Sequence, residues 1–246
     1  KQGADRFFVS KLSHFTPSEA IRGGIPIIFP QFGPGPLPKH GFARVSEWEL
    51  LQTARRENGD VSAVLQLQDS PATLAVWPYR FQLQLQVLLQ DDALTLVLQV
   101  KNNDTREFPF HAVFHTYLRV ADIRRVAVSG LQGVTYIDSL REDKREKEEH
   151  AEIRFAQEVD RIYVQTPDQV WLVDEETGRS ILIEKENMPD VTVWNPWVEK
   201  SKRLTDFGDE EYQRMVCVET GIMDTMRVLR PGEVWQGKTR FTCRQS

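Results

Sequence analysis

Residues 81–100 read FQLQLQVLLQDDALTLVLQV. Phe81, Leu83, Leu85, Val87 and Leu89 alternate with Gln82, Gln84, Gln86 and Leu88. After Gln90-Asp91-Asp92-Ala93 the alternation resumes at Leu94, Leu96, Leu98 and Val100. A side-chain period of two belongs to a strand with one buried face, so this segment reads as a β-hairpin. Asn102-Asn103-Asp104 marks the next turn and Phe108 to Val120 reads as a further strand. Shorter β-type runs lie at Val61–Leu67, Val126–Val128, Val134–Ile137, Ile153–Phe155, Arg161–Val164, Val170–Val173, Ile181–Ile183, Val191–Trp194, Met215–Glu219 and Val234–Phe241. Strands at this spacing describe a sandwich or barrel. Only Asp69–Trp77, closed by Pro78, and Asp209–Arg214 suggest helical turns. The expectation is an all-β fold, a large antiparallel β-sandwich with few short helical turns, formed as one domain over residues 1–246.

The chain has 246 residues, 40% of them hydrophobic, which is ample for a core without staples. Two cysteines, Cys217 and Cys243, exclude a disulfide scaffold and suit a reducing, cytoplasmic setting. No apolar run approaches twenty residues, so no helical membrane span is expected, and no unpaired apolar stripe argues against a monomer. A net charge of −5 disfavours nucleic acid as a partner. Cations concentrate early. Residues 1–56 hold eight Lys or Arg, from Lys1 to Arg56, against four acids, and between Ala20 and Ser46 stand Arg22, Lys39 and Arg44 with no acid at all. A locally basic segment in an acidic protein suggests a small anionic ligand. The same segment includes Gly23–Gly41, with five prolines and five glycines around Ile25, Ile27, Ile28, Phe29 and Phe32. Such a stiff, partly apolar loop in a compact fold is usually functional. The run Arg141–Glu152 carries ten charged residues and reads as a solvated loop.

There is no phosphate-binding glycine loop, no nucleophile elbow and no CxxC pair. His111 and His115 share the HxxxH spacing of a helical metal pair, but on a strand they stand about 13 Å apart at about 3.3 Å per residue, too far for one ion. No metal site and no cofactor are therefore expected, and His111 reads as a hydrogen-bonded or rim histidine. Glu219 falls on the parity of Met215 and Cys217. A carboxylate in that apolar setting is either a partnered structural acid or one tuned for catalysis. Cys217 reads as packing, since nothing near it in sequence activates a thiol. The aromatics of Trp77-Pro78-Tyr79 and Trp194-Asn195-Pro196-Trp197 are equally readable as core plugs or as sugar-stacking platforms.

Six blocks resemble, in order, the hexose-6-phosphate mutarotases (glucose-6-phosphate 1-epimerases), a branch of the aldose 1-epimerase superfamily. They are AIRGGIP (20–26), LPKHGFAR (37–44) followed by Trp48, FHTY (114–117), VDRIY (159–163), VWNPW (193–197) and CVE (217–219). The resemblance implies the galactose mutarotase-like β-sandwich, with His115 as general acid and Glu219 as general base. It also implies Arg22, Lys39, Arg44 and Asp160 as substrate contacts and His40 as a ring-contacting histidine. Lys39 departs from the many relatives that have Gln before His-Gly. Family members usually carry further strands before the Arg22 segment, and their absence here suggests that natural N-terminal strands are lacking.

The implied reaction interconverts the α and β anomers of a hexose 6-phosphate. A base takes the anomeric hydroxyl proton while an acid protonates the ring oxygen, each contributing about 10²–10⁴ in rate. An apolar setting is expected to raise the Glu219 pKa, and Asp160 to favour the His115 imidazolium. The cations match a phosphate dianion. Alternatives are an aldose 1-epimerase acting on unphosphorylated sugars and a noncatalytic sugar-phosphate-binding sandwich.

Overall fold

A computed structural model describes residues 5–245; Lys1 lies outside them. In chain order the first strands are β1 (Ile27–Ile28), β2 (Glu49–Arg55), β3 (Val61–Gln68), β4 (Phe81–Leu89), β5 (Ala93–Asn102) and β6 (Phe108–Phe114). Next come β7 (Tyr117–Arg119), β8 (Val126–Ser129), β9 (Thr135–Asp138), β10 (Lys144–Lys147), β11 (Glu152–Arg154) and β12 (Val159–Tyr163). The last are β13 (Gln169–Asp174), β14 (Arg179–Glu186), β15 (Asp190–Asn195), β16 (Met215–Leu229) and β17 (Val234–Gln245). Two short α-helices, α1 (Pro71–Val76) and α2 (Trp197–Ser201), and three 3-10 turns complete the described elements.

The strands form two antiparallel sheets. One runs β1-β6-β16-β15-β12-β9-β10, with β7 also on β16, and the other runs β11-β8-β13-β14-β17-β5-β4-β3-β2. The expected hairpin is β4–β5, in register from Phe81↔Asn102 to Leu89↔Leu94. Phe81, Leu83, Leu96, Leu98 and Val100 point into the core between the sheets, and burying each side chain of this size contributes about 1.5–3 kcal/mol. The intervening glutamines meet on the outer face, where Gln66 Oε1 accepts from Gln82 and from Gln84, the latter at 3.3 Å. Helix α1 starts at a Ser70–Thr73 capping box with Pro71 in its first turn and stops at Trp77.

Three local readings change. The strand expected over Phe108–Val120 is broken at His115-Thr116 into β6 and β7, because the amides of His115 and Tyr117 turn to Pro26 and Gly24 carbonyls. The charged run at 141–152 is not wholly a solvated loop. It contains β10, paired with β9, and it delivers Glu148 into a buried cluster with Tyr163 and Arg161. Strand β2 and helix α2 were not signalled: β2 is exposed along its whole length, so it has no alternation to read.

The proline-rich segment is stiff and anchored, as expected. Phe29 is fully buried, its ring 5.3 Å from both Trp77 and Phe81. Buried Gln31 knits the far end together, donating to the Gly33 and Leu37 carbonyls and accepting from the Leu37 amide. Gly41 has φ +68°, and a Cβ there would fall 2.3 Å from the Phe29 carbonyl oxygen. The close Phe29↔Gly41 bridge therefore requires glycine, and it fixes where Lys39, His40 and Arg44 stand.

Candidate active site

The site is the outer face of the first sheet. Along β16, Val216 and Val218 face the core, while Met215 and Cys217 belong to a separate cluster with Phe8, Tyr117, Trp194 and Phe207. Glu219 shares the outward parity of Met215 and Cys217. Register then assembles two rows across the sheet. Asp160, Trp194, Cys217 and Tyr117 are successive partners on β12, β15, β16 and β7. One step along, Ile162, Thr192 and Glu219 are partners. Phe114 pairs with Thr220 and Tyr117 with Cys217, so the same register sets His115 opposite Glu219. The Val218 amide donates to the Thr116 carbonyl, which makes His115 and Glu219 a non-hydrogen-bonded pair, the kind whose side chains approach most closely.

That pair is buried, with His115 Nδ1 3.3 Å from Glu219 Oε1. The ring is turned so that no hydrogen bond forms, and His115 Nδ1 and Glu219 Oε2 both lack a hydrogen-bond partner among the described residues. Packing orients the imidazole instead. Tyr117 stacks on it at 4.8 Å with 8° between planes, while His40 and Trp194 meet it edge-on at 5.4 and 6.1 Å. Burial, and then the Asp160 charge, push the Glu219 carboxyl well above its ordinary value. Burial, and then His40, Arg44 and Arg22, push His115 well below its own. The apolar effect on Glu219 is as expected. The expectation that Asp160 favours a His115 imidazolium is not met. Asp160 acts on Glu219 and is itself held by Lys200, 3.2 Å away, so the charges acting on His115 are cationic.

Arg22 is clamped. Its Nε and Nη2 each donate to an Asp206 carboxylate oxygen at 3.1 Å, and Nη1 donates to the Tyr117 hydroxyl at 3.3 Å. Burial opposes the charge, yet Tyr117 and Asp206 hold the guanidinium above its ordinary value. Arg44 follows Ala43 in a 3-10 turn and donates from Nη2 to the Lys39 carbonyl at 2.8 Å. Its Nε is buried without a hydrogen-bond partner among the described residues. Lys39 is exposed, and its ammonium is lowered first by desolvation and then by Lys200, with Arg44 and Arg22 adding to the effect. His40 is buried with Nδ1 accepting from the Gly33 amide at 3.3 Å, so its proton sits on Nε2. Burial and the neighbouring cations push it down to about 3, leaving a neutral ring with its proton on Nε2.

The structure thus brings His115, Glu219, Arg22, Lys39, His40, Arg44 and Asp160 into one neighbourhood. His111 stays apart, accepting from the Phe32 amide through Nδ1, as a rim histidine. The aromatic pairs divide: Trp77 is a core plug against Phe29 and Phe108, whereas Trp194 walls the site. Sequence reasoning gave no role to Tyr117, Asp206 or Lys200. Tyr117 was visible in the FHTY block, but Asp206 and Lys200 lie in segments without motif or periodicity. Cys217, read as packing, is indeed fully buried, but it packs beside the pair. His115, Cys217 and Glu219 offer ligand atoms all within 4.8 Å of one another.

Among the described residues no helix is long and apolar enough to cross a membrane. Residues 5–242 match the family described as Aldose 1-epimerase. A Cenchrus ciliaris protein named "Putative glucose-6-phosphate 1-epimerase" is 39% identical over 244 residues, covering 96% of this chain and 74% of that one. An Escherichia coli protein of the same name is 34% identical over 215 residues, 85% and 71% of the two chains. The crystal structure of a mutarotase-named protein, YeaD, from Salmonella typhimurium superposes with a TM-score of 0.91 at 28% identity, covering 98% of this chain and 80% of that one. The match over nearly the whole sequence, on a sandwich that carries a buried His–Glu pair, establishes that the chain belongs to the aldose 1-epimerase family.

Proposed function

We propose that this epimerase interconverts the α and β anomers of a hexose 6-phosphate, with glucose 6-phosphate as the first substrate to test. The observation that carries this reading is the His115–Glu219 pair, set opposite each other on adjacent strands beside Arg22, Lys39 and Arg44. Glu219 removes the proton of the anomeric hydroxyl while His115 protonates the ring oxygen. The C1–O5 bond breaks and C1 becomes an aldehyde. After rotation about C1–C2 the same steps run backwards on the other face: His115 takes back the O5 proton and Glu219 returns one to O1. No proton is gained or lost, and the oxidation state of the sugar is unchanged.

The pair alternates between carboxylate–imidazolium before opening and carboxylic acid–imidazole after it. Both hold one proton between them, and burial favours the second, uncharged form. The site is therefore electrostatically suited to the open-chain stage, where a transient aldehyde must be stabilised. Arg44 and Lys39 act in the opposite direction on Glu219, lowering its pKa, so the carboxylate form stays within reach. Arg22, Lys39 and Arg44 would hold the phosphate through charge-assisted contacts. His40 Nε2–H and the Asp160 carboxylate are suited to bind sugar hydroxyls, one donating and the other accepting.

The reading is tested by anomeric exchange of glucose 6-phosphate followed by NMR saturation transfer, with glucose in parallel. Accelerated exchange of the phosphate ester alone supports the proposal. Equal acceleration of both sugars assigns an unphosphorylated substrate, and acceleration of neither removes the catalytic reading.

A further inference from the structure

The surroundings of the His–Glu pair contain a third donor that the proton chemistry leaves unused. Cys217 and Glu219 stand two residues apart on one face of β16, and His115 faces them from the neighbouring strand segment. Their ligand atoms all lie within 4.8 Å of one another, and all three residues are buried. Two of the polar atoms, His115 Nδ1 and Glu219 Oε2, have no hydrogen-bond partner among the described residues. Three converging donors, one nitrogen, one sulfur and one oxygen, form the ligand set of a borderline-soft divalent ion; a hard ion such as Mg²⁺ prefers oxygen alone. Bonds of about 2.0–2.3 Å to zinc place neighbouring tetrahedral ligands about 3.3–3.7 Å apart. The His115 Nδ1–Glu219 Oε1 separation is 3.3 Å, and no pair in the set is more than 4.8 Å apart.

We propose that His115, Cys217 and Glu219 form a binding site for a divalent cation of the Zn²⁺ type, and that this ion and the sugar exclude each other. The ion would occupy the space between the acid and the base, where O5 and O1 of the sugar must lie on the proposed reading of the function. Its fourth ligand would be a water on the substrate side. Coordination converts the thiol to a thiolate, and the displaced proton passes to solvent. Arg22 and Arg44, whose charges reach His115, oppose a second positive charge here, so affinity should fall well below that of a closed structural zinc site. The consequence is a metal-inhibited epimerase.

The test uses the full chain and Zn²⁺ alone as probe. Calorimetry should find one ion bound per chain, and X-ray absorption should show one sulfur scatterer at about 2.3 Å. Cys217→Ser, which keeps the side chain's shape, should lose that sulfur shell and weaken binding by about tenfold or more. Glucose 6-phosphate should raise the apparent dissociation constant for the ion, and Zn²⁺ should inhibit anomeric exchange competitively. Circular dichroism of the variant, with Glu219→Gln as a second ligand removal, guards against misfolding. No binding up to about 1 mM Zn²⁺, a sulfur-free shell, or undiminished binding by folded Cys217→Ser overturns the site. If the sugar phosphate binds the chain but does not compete, mutual exclusion is overturned. If the sugar phosphate neither binds nor turns over, the functional reading falls, while the sulfur shell and its loss in Cys217→Ser still decide the metal site.

Discussion

Replacing Arg44 by alanine separates binding from chemistry. Its Nη2 is engaged with the Lys39 carbonyl, and no residue among those described takes up Nη1, so that nitrogen remains for the phosphate. A hydrogen bond to a charged group contributes about 1.5–3 kcal/mol, and about 1.4 kcal/mol is tenfold in affinity. Arg44→Ala should therefore raise KM for glucose 6-phosphate between about tenfold and about a hundredfold. Turnover at saturation should hold within about threefold, because the phosphate takes no part in bond breaking and its contacts are the same before and during ring opening. The local electrostatics agree: Arg44 holds both His115 and Glu219 down, so its loss moves acid and base in the same direction and leaves their relative hold on the shared proton little changed. Arg44→Gln is the companion variant, since an amide can keep a bond to the Lys39 carbonyl while losing the charge. Anomeric exchange measured by NMR across substrate concentrations gives both constants, and glucose provides the baseline without phosphate. A fall in kcat at unchanged KM, or equal loss with glucose, would refute the phosphate role of Arg44.

Removing either partner of the pair should act on the other constant. His115→Ala and Glu219→Gln are each expected to lower kcat by about 10²–10⁴ with binding of the sugar phosphate retained, and near-normal turnover by either variant would exclude that residue from the chemistry. Asp206→Ala frees Arg22 from its two carboxylate bonds and should raise KM for the phosphate ester several-fold without changing kcat, read in the same exchange assay; an unchanged KM would show that the clamp is dispensable. At the other end of the sheet, burial acts against the Glu148 charge, but Tyr163, His150 and Arg161 outweigh it and hold the carboxyl below its ordinary value. A depressed carboxylate stabilises the fold above its unfolded pKa of about 4.3 and loses that contribution as pH falls through its folded value. Glu148→Gln should thus lower the melting temperature at pH 7, with the gap from the parent narrowing below about pH 4; a gap independent of pH would assign the effect to packing alone.

How much of this was legible beforehand depends on what each residue's position encodes. Strands β4 and β5 announce themselves because one face meets the core and the other meets water, so burial is written as alternation. Strand β2, wholly exposed, writes nothing, and β10 hides in a charge run because its pairing with β9 uses backbone groups available to any sequence. The site follows the same logic. His115 and Glu219 could be singled out, one in a six-block resemblance and the other as an acid among apolar neighbours, but their distance apart is a matter of register between segments about a hundred residues apart in sequence. Register is fixed by the whole sheet, since a slip of one residue would turn Glu219 into the core and Val218 out to the substrate. The same long-range condition explains the wrong electrostatic expectation for His115. Asp160 is separated from Glu219 by two strand pairings through Trp194, on a face where Arg22 and Arg44, at the two ends of the proline-rich loop, set the charge felt by the imidazole. That loop is anchored by Phe29 in the core and by the glycine at 41, so the field at the catalytic pair depends on packing that lies outside either motif. Asp206 and Lys200 mark the limit of sequence reading, because each enters the site by holding another charged side chain, Arg22 in one case and Asp160 in the other, and a partner's partner leaves no local pattern.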